Sequence, residues 1–146
     1  MYHSLLISEV LNDIKTQKSS MINAERILGL SRERQILELE HFWNMSKSVQ
    51  QWDFVSFYKT FWTKIDSWAI GSDILSILKR FKLMPKFTEG KEWKQKGGLV
   101  QNVLRGLMQS SPAKRFDCVY ALSIYDPTNA LVSSPPGKAW LNHLQA

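Results

Sequence analysis

The sequence predicts an all-α protein, a compact bundle of about six to eight short helices around a central aromatic-rich helix. Two observations carry this. Apolar residues recur at three- and four-residue intervals along most of the chain, and apolar alternation never persists long enough to mark a pair of strands. With 146 residues, 44% of them hydrophobic, the chain is long enough to bury one real core. A single helical domain over 1–146 is the expectation.

Ile7, Val10, Leu11 and Ile14 share one face and predict a first helix over about 3–17. Ser20 is placed to cap a second helix carrying Ile22, Ile27 and Leu28, which Gly29 ends. Ser31 caps a third, whose apolar face is Ile36, Leu39, Phe42 and Trp43. The stretch 51–68 is the aromatic centre. Phe54, Phe57, Phe61, Ile65 and Trp68 form one stripe, and Trp52, Val55, Tyr58 and Trp62 an adjacent one. So wide an apolar arc predicts a helix touched on several sides.

Gly71-Ser72 is expected to end that helix, and Ser72 to cap a fifth with Ile74, Leu75, Ile77, Leu78 and Phe81. The fifth helix must stop before Pro85, and residues 85–98, basic and Gly-containing, read as a loop. A sixth helix is expected from near Leu99. A seventh, capped by Ser111 with Pro112 in its first turn, carries Phe116, Val119, Tyr120 and Ile124. Within it, residues 118–125 are rich enough in β-prone side chains to leave a strand open. Asp126-Pro127 closes this element, and a short last helix holds Trp140, Leu141 and Leu144.

Composition narrows the chemistry. One cysteine, Cys118, cannot form an internal disulfide, which fits a reducing compartment, and a cytoplasmic location is expected. No basic leader opens the sequence, and no uncharged run is long enough to span a bilayer. His3, His41 and His143 sit on different predicted elements at no metal-ligand spacing. The glycines of GGLVQNVLRG lack both the preceding strand and the Lys-Ser/Thr of a phosphate loop. Asp53 and Asp73 lie near predicted helix starts, where capping is the simple role. No catalytic group, metal or cofactor is expected, and the protein reads as a non-enzyme.

The functional signal is charge. Seven cations, Lys79, Arg80, Lys82, Lys86, Lys91, Lys94 and Lys96, face only Glu89 and Glu92 within twenty residues, a net +5 of the chain's +6. Phe81, Phe87 and Trp93 are interleaved with them. Such a patch predicts nucleic-acid binding or nucleoprotein assembly through phosphate contacts, with Trp93 able to stack on an unpaired base. Lysine outnumbers arginine, so binding of DNA or RNA without sequence specificity is expected. The alternative is a protein-interaction module that uses exposed aromatics and sets the basic loop against an acidic protein partner.

Two short segments carry resemblances. AERILGLSRERQILEL resembles a helix-turn-helix: Gly29 would relieve the turn and Ser31 cap the second helix. The resemblance implies that Arg32 and Arg34 are secondary nucleic-acid contacts. The usual buried aliphatic six residues after the glycine is replaced by Gln35, with Ile36 one later. IDSWAIGSDILSIL is similar to a Trp-and-Asp segment of the helical-repeat DNA alkylation repair proteins. Trp68 and Asp73 are five apart where that family has four, which turns the Asp about 100° around the helix. The activity is therefore not carried over.

Overall fold

The structure is a computed structural model that describes residues 19–145; the helix expected over 3–17 lies outside them. Among the described residues nine helices follow one another without a strand. They are α1 (Ser19–Leu28), α2 (Arg32–Met45), α3 (Lys47–Gln50), α4 (Phe54–Phe81), α5 (Pro85–Thr88), α6 (Lys91–Leu107), α7 (Cys118–Tyr125), α8 (Ala130–Ser133) and α9 (Pro135–Gln145).

Gly29 makes the first corner. Its φ of 69° is left-handed, where a Cβ is penalised, and the Gly29 and Leu30 amides reach back to the carbonyls of Glu25 and Ala24. Ser31 then caps α2 as expected, its Oγ accepting from the Arg34 amide. Ser20 is no cap. It lies inside α1, and its hydroxyl is 2.7 Å from that of Ser72 on α4, which pins α1 across the middle of α4. Asp53 caps α4 through the Ser56 amide and hydroxyl.

The expected break at Gly71-Ser72 does not occur. α4 is one helix of 28 residues. Gly71 is buried there because α6 crosses it: a Cβ on Gly71 would stand 2.9 Å from the Leu107 Cβ. The glycine serves helix–helix approach, not termination. Around the crossing, Leu28, Leu75, Leu78, Leu104, Leu107 and Met108 form the buried core. The core therefore sits at the middle of α4, beyond its aromatic end. Phe57 and Phe61 pack edge-on against Phe42 of α2, but Phe54, Tyr58 and Trp62 are exposed.

Residues 85–98 are helical, not a loop. Pro85 opens α5 at a position that needs no amide donor, and α6 starts at Lys91, eight residues before the expected Leu99. The expected helix capped by Ser111 is likewise corrected. Residues 109–117 are irregular, and Asp117 caps α7 by accepting from the Tyr120 amide at 2.8 Å. Arg115 explains the irregular path. Its guanidinium donates to the carbonyls of Gln109, Ser110 and Lys64, while the Phe116 amide donates to Gly106. These bonds tie the segment to α4 through the Lys64 carbonyl and fold it back on Gln109 and Ser110. Residues 118–125 are helix, which closes the strand alternative. Asp126 ends α7 as expected.

Candidate nucleic-acid interface

The basic segment is a folded corner made from three helix ends. Lys79 and Arg80 lie in the last turn of α4 and Lys82 at its C-cap, where cations complement the helix dipole. Lys86 is on α5, and Lys91, Lys94 and Lys96 are on α6. The interleaved aromatics tie these pieces together from beneath. Phe81 stacks on Phe87 at 5.2 Å, and Phe87 meets Trp93 at 4.8 Å. Trp93 is half-buried and packs with Phe87 against the core. Gly97 leaves room for its indole, since a Cβ there would be 2.8 Å from the ring. Trp93 is thus a strut under the lysines, and Phe81 is the aromatic of the three that stays exposed.

Spacing on α6 sorts its lysines. Lys91, Lys94, Gly98 and Asn102 recur at three- and four-residue steps and, with Gln95 beside them, form one solvent-facing stripe. Lys96, two residues beyond Lys94, points to the other side. Its Nζ lies 6.0 Å from the Tyr125 ring, and its charge helps hold the Asp126 carboxyl below the usual range, after the larger effect of the Thr128 hydrogen bond. None of the seven cations forms a salt bridge among the described residues; the pairs are Arg34–Glu38, Lys64–Asp117 and Lys114–Glu38. Gly98 has nothing within 4 Å of where its Cβ would be. A mid-helix glycine costs about 1 kcal/mol against alanine, and no packing requirement offsets that here.

The turn of the helix-turn-helix resemblance is present at Gly29 and Ser31. Gln35 fills the aliphatic position as a buried residue, its Nε2 donating to the carbonyls of Leu30 and Met21. Arg34 is engaged by Glu38 at 3.2 Å, and the Arg32 amide is 3.4 Å from Glu25 Oε1. α2 also carries Glu33, Glu38 and Glu40, and Glu38 is shared between Arg34 and Lys114. Trp68 and Asp73 lie five apart on one unbroken helix. Trp68 packs against the core while Asp73 is exposed, and they do not line one site.

Sequence reasoning missed the polar cluster around Arg115. Lys64 Nζ donates to the Arg115 carbonyl at 2.7 Å and lies 3.9 Å from Asp117 Oδ2. The Trp140 indole donates to that same oxygen. Burial lowers the Arg115 pKa to about 10, so it remains a cation at neutral pH. Every donor is answered, and the cluster clamps residues 109–117 and α9 to α4. Only the run KRFD marked it in the sequence, and an arginine is not normally expected inside.

Among the described residues no three His, Cys, Asp or Glu side chains gather as a metal site, and no helix is long and apolar enough to cross a membrane. No known family, curated protein or solved structure gives a significant match to the chain.

Proposed function

We propose that the protein is a non-enzymatic subunit that binds the sugar-phosphate backbone of DNA or RNA without sequence specificity, through the outward face of 79–98. The supporting observation is the Lys91–Lys94–Gly98 stripe of α6, whose cations are held on a helix and form no salt bridge among the described residues. Phosphates are the polyanion such a face suits, and the bare backbone at Gly98 lets one approach closely. Lys79, Arg80, Lys82 and Lys86 extend the field along the same corner. Trp93 acts by supporting the corner, and Lys96 contributes as a flanking charge. A cytoplasmic location belongs to the same reading.

The test is fluorescence anisotropy with labelled mixed-sequence single- and double-stranded DNA and RNA. Lys91→Gln combined with Lys94→Gln should weaken binding of every sequence alike and leave the helical content unchanged. Unaltered binding by that variant would remove the site from α6.

A protein-docking reading is favoured by a different observation. Trp43, Val49, Trp52, Phe54 and Phe57 line an apolar pocket of about 240 Å³ between α2, α3 and α4. Failure of excess polynucleotide to compete with a protein partner would select it.

A further inference from the structure

The solvent side of α4 is far more apolar than a helix beside water needs to be. Nine of its large apolar side chains are exposed, from Phe54 at 68% to Ile65 at 39%. At about 200 Å² for each such side chain fully exposed, the nine total roughly 900 Å² spread over both flanks, and the four on the central line, Val55, Trp62, Ile70 and Ile77, supply roughly 400 Å² of it. A standard protein interface buries about 800 Å² per partner. Next to this face, α4, α6 and α7 enclose an open apolar groove of about 360 Å³. Ile70, Ile74, Val103, Cys118 and Tyr125 are among its lining residues, and none of the lining is charged.

We propose that this face joins a second copy of the same chain, with the two α4 helices antiparallel and Trp62 of each copy seated beside Ile70 in the groove of the other. The sequence of the face fixes the occupant and the register. Val55, Lys59, Trp62, Asp66, Ile70, Asp73 and Ile77 recur at three- and four-residue steps, one stripe turned away from the core. Lys59 and Asp73 each lie seven residues from Asp66, Trp62 and Ile70 four, and Val55 and Ile77 eleven. A two-fold axis at Asp66 therefore sets Lys59 against Asp73, Trp62 against Ile70 and Val55 against Ile77, all in one register. The interface is isologous, each contact occurring twice. The register also brings Asp66 opposite its own copy, a repulsion that limits the affinity.

The inference is independent of nucleic-acid binding, and its test uses the full chain by sedimentation velocity from about 1 to about 100 µM. Wild type should shift from monomer to dimer with concentration. Trp62→Glu, on an exposed side chain, should remain monomeric with unchanged helicity by circular dichroism. Lys59→Glu should weaken the dimer at least tenfold, and adding Asp73→Lys should restore it. Asp66→Asn should tighten it several-fold, while Lys91→Gln with Lys94→Gln should leave it as in wild type. A wild type that stays monomeric throughout would overturn the proposal. A dimer indifferent to Trp62→Glu, or a charge swap that fails to restore it, would overturn it equally.

Discussion

Gly71 of α4 and Leu107 of α6 approach so closely that a Cβ on the glycine would lie 2.9 Å from the leucine Cβ, with Met108 Sδ at 3.1 Å. This contact sets the crossing around which the core forms. Gly98, a few turns earlier on α6, meets nothing. The same substitution at the two positions should thus act with opposite sign.

Gly71→Ala gains helix propensity of about 1 kcal/mol but must push α6 away. A net loss of about 1–3 kcal/mol is expected. Gly98→Ala should gain up to about 1 kcal/mol. Urea denaturation of the two variants against wild type measures both. If phosphate approaches the Gly98 backbone, Gly98→Ala should also weaken nucleic-acid binding while raising stability, a combination that packing alone does not produce.

Arg115→Met should destabilise the fold by roughly 2–4 kcal/mol, because it leaves the carbonyls of Gln109 and Ser110 without this donor and cuts the tie to the Lys64 carbonyl, which keeps the Ser67 hydroxyl. Arg115→Lys should recover only part, since one ammonium cannot reach three carbonyls held by a planar fork. Thermal melts followed at 222 nm decide this.

The Cys118 thiol is held above its ordinary pKa, chiefly by burial and then by the charges of Asp117 and Asp66. Less thiolate is present at pH 8 than in a free cysteine, so reaction with dithionitrobenzoate should be several-fold slower than that of glutathione. Cys118 also lines the groove beside Ile70. Its reaction should therefore slow further as protein concentration rises, and Trp62→Glu should abolish that dependence.

Asp53 at the start of α4 is held below the usual carboxylate range, first by the Ser56 hydroxyl and next by the Ser56 amide. A depressed folded pKa means that the unfolded chain takes up the proton first as pH falls. The contribution of this cap is thus complete above the ordinary value of 3.8 and is lost as pH drops through the lower folded value. Asp53→Asn keeps an acceptor for the Ser56 amide and should remove that part of the acid sensitivity. Melting temperatures between pH 2 and pH 6 for both proteins test it.

The local features of the fold were legible where one residue decides one structure. Gly29, Ser31 and Asp126 act as the sequence says, and the periodicity of 19–28, 32–45 and 54–81 is helical. The errors concern residues whose role is set by a tertiary contact. Gly71 read as a stop until Leu107 supplied the reason for a glycine. Ser20 and Ser72 read as caps, yet they bond each other across 52 residues. The glycines of 97–98 and the charge of 86–96 suggested a loop; the aromatic contacts from Phe81 through Phe87 to Trp93 hold the segment as helices. The seven cations were found from composition alone. Their division into an outward pair on α6 and a turned-away Lys96 needed the helical register.

The central claim is phosphate binding by the Lys91–Lys94 face, and its most direct test is the salt dependence of affinity for a mixed-sequence oligonucleotide. Each phosphate contact contributes about 0.7 to 0.9 to the slope of log K against log salt. A slope of about −3 to −5 is expected, flattened by about 1.4 to 1.8 in Lys91→Gln with Lys94→Gln. No binding at low salt, or a slope that the double variant leaves unchanged, would contradict the account.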